Sequence, residues 1–168
     1  GSSGGHLALL AAFAANHAAL DPPDVDDADT SVRGVISYYG LPDLRRRGIE
    51  ESQPASNPLV PLGKRLGFVP GDGYLEPSEL ARRLFGGLPQ DVPAVAGLMS
   101  PITHVGPHCP PTLLLHGTHD RLIPVEDVRN LYRVLIDQGI PVVYVELPQV
   151  VHAFDLALPR VSPSAQAA

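Results

Sequence analysis

Three residue types suited to nucleophilic catalysis stand far apart in this chain. Ser3 lies in Gly1-Ser2-Ser3-Gly4-Gly5, which fits G-x-S-x-G. Asp120 closes His116-Gly117-Thr118-His119-Asp120, and His152 lies in Val151-His152-Ala153-Phe154-Asp155. A serine hydroxyl is a weak nucleophile at neutral pH and needs an adjacent base. His152 would take its proton and return it to the leaving group. Asp120 would hold the imidazole tautomer and stabilise the imidazolium that forms. The glycines around Ser3 permit a tight, strained turn that exposes the hydroxyl at a helix N-terminus. The Gly4 N–H would then face a developing oxyanion, helped by the helix dipole. Gly-Ser-Ser-Gly is also the composition of a linker remnant. Asp120 and His152 downstream favour the catalytic turn. Ser2 is not the middle residue of the motif and reads as a surface hydroxyl.

The elements that must position these residues follow from composition and spacing. Residues 4–19 are rich in Ala and Leu, which favour helix, and are apolar nearly all round, which predicts burial on more than one side. The acidic stretch 21–30 carries two prolines and reads as an exposed loop. VRGVISYYG (32–40), PPTLLLHG (110–117) and PVVYVELP (141–148) are apolar runs that read as buried strands. Residues 125–139 predict a helix with Val128, Leu131, Leu135 and Ile136 on one face and Gly139 at its end. Residues 77–87 predict a short helix begun by Pro77, and Ser162-Pro163 suits another helix start. Apolar strands alternating with helices mean a parallel sheet covered on both faces. Three strands make a small sheet, and the first helix needs a strand to feed it. The expectation is therefore the later portion of a larger α/β domain over 1–168. Residues 41–100 have Pro or Gly every few positions and are too long for a simple connection, so they read as a cap or lid.

Composition narrows the partners. The 168 residues carry 12 Lys and Arg against 18 Asp and Glu, a net charge of −6 that argues against nucleic acid or an anionic membrane. No apolar run reaches the length of a membrane span. Cys109 is the single cysteine, so no internal disulfide forms and a cytoplasmic setting is favoured.

The motifs G-x-S-x-G-G-H-L-A, Y-Y-G, S-P-I-T-H, H-G-T-H-D-x-x-I-P-V and H-A-F-D together resemble a carboxylesterase of the α/β-hydrolase superfamily. The group meant is the bacterial esterase/lipase set with hormone-sensitive-lipase-like and feruloyl-esterase-like members. The order Ser, Asp, His is that of this superfamily. The resemblance implies Ser3 as nucleophile, Asp120 as acid, His152 as base, a cap within 41–100, a small or medium ester as substrate, and no cofactor. It also implies an upstream H-G-G-like stretch with further oxyanion donors, which does not precede Gly1 here. An open sheet edge would then invite self-association or pairing with an N-terminal segment.

Other readings stay beside these. An amidase or peptidase would share the same catalytic residues, and a non-catalytic fragment would lack half the oxyanion site. Asp155, three residues past His152, is the rival acid. Tyr38 and Tyr39 end a strand near the site; alternation puts them on opposite faces, so one packs and the other would line a substrate pocket. His104, His108, Cys109, His116 and His119 match no closed zinc spacing, so no metal site is expected. Arg45, Arg46 and Arg47 read as a solvated turn.

Overall fold

The computed structural model describes residues 1–20, 28–45 and 77–155. Three parallel strands, β1 (Val35–Tyr38), β2 (Thr112–Gly117) and β3 (Val142–Leu147), lie side by side in that order. Their register runs Val35–Thr112–Val142 through Tyr38–Leu115–Val145. Helix α1 (Ser2–Phe13) precedes β1. Helices α2 (Pro77–Phe85) and α3 (Pro93–Leu98) and the 3-10 turn Pro101–His104 precede β2. Helix α4 (Val125–Asp137) joins β2 to β3 and ends at Gly139, whose φ of +71° suits glycine.

The two faces of the sheet are unlike. Leu9, Ala12 and Phe13 of α1 and Val128, Leu131 and Leu135 of α4 pack with Val35 and Leu114 into the larger core. Alternation sends Leu113 and Leu115 to the opposite face, where Leu115 meets Tyr39 and Phe154. On that face Ile36 and Val143 are each 60% exposed. Among the described residues this face is the less covered of the two. Leu7 at 58% exposure marks one open stripe on α1, and Ile136 at 51% corrects its expected place, since it lies off the buried face of α4. Helix α1 is also shorter than its composition suggested. It ends at Ala14, and α3 was not foreseen at all.

The long segment between β1 and β2 is tied at its base. The Leu44 N–H donates to Ser100 Oγ at 2.8 Å, Ser100 Oγ donates to the Ala96 carbonyl at 2.6 Å, and the Ile102 N–H donates to the Pro42 carbonyl at 3.1 Å. Asp43 accepts two bonds from the Arg45 guanidinium. Burial opposes charge on Asp43, but the Arg45 bonds outweigh it and hold the carboxyl below its ordinary range. Arg45 keeps about half of its side chain exposed while it makes this pair. Arg46, Arg47, most of the expected cap and the helix start at Ser162 lie outside the described residues. No helix among the described residues is long and apolar enough to cross a membrane.

Candidate active site

The carboxyl ends of β1, β2 and β3 carry the site, as expected for an open parallel sheet. At β2, Gly117 is followed by a turn that brings Asp120 back over the strand end. Asp120 Oδ1 accepts the N–H groups of Leu122 and Ile123, both at 2.9 Å, which fixes the carboxylate and leaves Oδ2 free to face the next loop. The loop after β3 delivers His152. A Cβ on Gly117 would collide with the Val150 carbonyl, so this close approach demands glycine. Thr118 Oγ1 accepts the Gln149 N–H at 2.8 Å, and the His119 N–H donates to the Val150 carbonyl at 2.9 Å. Gly117 and Thr118 were not singled out in the sequence. The H-G-T run next to Asp120 was the available signal.

His152 Nδ1–H donates to Asp120 Oδ2 at 2.7 Å. On its other side, His152 Nε2 accepts from a serine hydroxyl at 2.9 Å, and that serine is Ser2. Ser3 is exposed. The serine expected at the base was Ser3; the one placed against His152 Nε2 is its neighbour Ser2. Consecutive helical side chains point about 100° apart, so only one of the pair can face His152. Ser2 shares its stripe with Gly5, Leu9 and Ala12 at i+3, i+7 and i+10, all buried. Ser3 lies toward Leu7, which is exposed, although Leu10 at i+7 is buried. Gly5 sits against Gly40 and Tyr38 at the end of β1, with no room for a Cβ, and this contact aims Ser2 at the sheet's carboxyl edge. Gly4 has open space around it.

Ser2 has a φ of +51°, a left-handed conformation that costs a non-glycine residue about 1–2 kcal/mol. Gly1 precedes it, and a Cβ there would strike the Tyr39 ring and hydroxyl. The helix opens without a side-chain cap. The first backbone bond of this region runs from Gly5 N to Gly1 O at 3.1 Å, so the N–H groups of Ser3 and Gly4 have no partner within the helix.

The rival acid does not reach the imidazole. Asp155 instead accepts a hydrogen bond from the Tyr39 hydroxyl. Tyr39 itself is 1% exposed, so of the two tyrosines it is the one that packs. Its φ of +41° breaks the strand alternation. Both tyrosines therefore turn to one side and meet Phe154, Tyr38 stacked at 6.2 Å and Tyr39 edge-on at 5.3 Å. Tyr38 is half-buried.

His116 is fully buried beside the acid. Its Nε2–H donates to the Ile123 carbonyl at 2.9 Å and lies 3.4 Å from Asp120 Oδ2. Burial lowers its pKa, so it stays neutral. His104 bonds the Leu98 carbonyl and His108 the Phe13 carbonyl. Among the described residues, no group of three or more His, Cys, Asp or Glu is placed to hold a metal ion.

A parallel sheet with a strained serine opening a helix, and an acid and a histidine beyond the next strands, defines the α/β-hydrolase fold. Within that class the chain belongs to the BD-FAE family, whose match covers residues 1–135. It is 35% identical over 158 residues to Esterase LipQ of Mycobacterium tuberculosis, covering 94% of this chain and 32% of that protein. In fold it is similar to a truncated form of a carbohydrate esterase from gut microbiota, with a TM-score of 0.63 at 22% identity over 90% of this chain and 50% of the other. It is also similar to Thermogutta terrifontis esterase 2 phosphonylated by sarin, with a TM-score of 0.63 at 21% identity over 92% and 46%. The chain spans about a third of the length of the curated relatives it matches.

Proposed function

We propose that this chain carries the catalytic serine, acid and base of a carboxylic-ester hydrolase, with Ser2 as nucleophile. The single observation that carries the reading is the continuous chain Ser2 Oγ–His152 Nε2 at 2.9 Å and His152 Nδ1–Asp120 Oδ2 at 2.7 Å. His152 Nε2 takes the Ser2 proton as Oγ attacks the ester carbonyl carbon. The N–H of Ser3 and the start of α1 face the oxyanion, replacing the role first expected of Gly4. The imidazolium protonates the departing alcohol, leaving acyl-Ser2. Water then loses a proton to His152 and attacks the acyl carbon, releasing the acid and restoring Ser2. No step calls for a cofactor. The tied base at Asp43, Leu44 and Ser100 supports reading 41–100 as a cap that sets substrate size.

The test compares adjacent serines in the full-length protein. Ser2→Ala is expected to lower p-nitrophenyl ester turnover by about 10⁶, while Ser3→Ala keeps turnover within about tenfold, since its backbone N–H remains. Turnover lost in Ser3→Ala and kept in Ser2→Ala would overturn the assignment.

A further inference from the structure

We infer that Tyr39 and Asp155 are positioning residues that hold the His152 imidazole in line with Ser2. The inference rests on the reading of Ser2, Asp120 and His152 as the catalytic residues. His152 is gripped at its two nitrogens by Ser2 and Asp120, yet neither bond sets the plane or height of the ring by itself. The Tyr39 ring does: it meets the His152 ring at 4.7 Å between centroids and 64° between planes. The same tyrosine fills the space beside Gly1, where no Cβ fits, so it touches the residue before the nucleophile as well. One buried side chain thus spans both halves of the site.

Two features show that this placement is built rather than incidental. Tyr39 adopts a left-handed φ of +41°, unfavourable for a bulky residue, and only this turn brings its ring to the His152 side of the sheet. Its hydroxyl then finds Asp155, three residues beyond His152, with Ala153 between them at a φ of +58°. Among the described residues, three side-chain hydrogen bonds reach this turn: the two made by His152 and the one from Tyr39 to Asp155. Removing the last leaves the turn held by the catalytic ring and by the packing of Phe154. Burial, and then Asp155 itself, push the Tyr39 phenol well above its ordinary pKa, so it remains a donor throughout the working range. Displacing a catalytic group by about 1 Å can cost about 10² in rate.

Tyr39→Phe keeps the ring and deletes the hydroxyl. Measured on the full-length protein, Tyr39→Phe and Asp155→Ala should each lower kcat by about 10- to 100-fold with KM nearly unchanged, and should slow fluorophosphonate labelling of Ser2 by the same factor. Asp155→Asn keeps an acceptor and should recover most of kcat. The double variant should be no slower than either single one, because both delete one bond. The thermal midpoint of Tyr39→Phe separates positioning from folding: a kcat loss below the melting transition supports the inference. A wild-type kcat in Tyr39→Phe, a change confined to KM, or no recovery in Asp155→Asn would overturn it. Turnover surviving in Ser2→Ala would instead overturn the nucleophile assignment, so the two failures are told apart.

Discussion

The two faces of the sheet divide the work of the molecule. Behind it, α1 and α4 bury Leu9, Phe13, Leu131 and Leu135 against Leu114, and no Asp, Glu, His, Lys or Arg lies in that cluster. In front, the buried set is small: Tyr39, Phe154 and Leu115 cluster together, and Tyr39 meets the His152 ring. Further down the same face, Ile36 and Val143 are open. The back face stabilises by apolar area removed from water. The front face spends strained backbone at Ser2, Tyr39 and Ala153 on geometry.

That contrast can be broken at several points. Leu131→Ala, at a fully buried position of α4, should lower unfolding stability by about 2–5 kcal/mol, read by denaturant titration, while the kcat of the remaining folded protein stays close to wild type. A matching loss in kcat would mean the faces are not separable. Acid should act through two histidines, His116 fully buried and His6 partly so. Burial lowers the pKa of His6, although its Nδ1–H donates to the Leu41 carbonyl, and it lowers that of His116. Both are neutral when folded, so unfolding takes up protons below the ordinary histidine value of about 6.5. Their contribution is whole above that pH and is lost as pH falls through and below it. Thermal midpoints at pH 7.5 and 5.5 should show the drop, and His6→Gln should narrow it. The smallest effect is expected at Ile36→Thr, within about 0.5 kcal/mol for an exposed site. A loss above about 1 kcal/mol would show that a further segment covers the front face.

Much of this was legible before the structure. Strand composition placed β1, β2 and β3 within three residues, and the positions of Asp120 and His152 beyond strand ends marked them. The serine was not legible in the same way. Two serines followed by two glycines allow two registers, and counting from Gly1 selects Ser3. What selects Ser2 is the contact of Gly5 with Gly40, thirty-five residues away, which fixes the rotation of α1. Tyr39 escaped for a related reason: alternation holds while a strand lasts, and β1 ends at Tyr38. The role of Asp155 depends on that turn, so spacing alone could not separate it from the acid.

The most direct test is the address of a covalent adduct. The full-length protein would be treated with a fluorophosphonate and digested, and the peptide beginning at or before Gly1 fragmented to distinguish neighbouring serines. The phosphonyl group is predicted on Ser2, in the wild type and in Ser3→Ala alike. An adduct on Ser3, or labelling that persists in Ser2→Ala, would contradict the account.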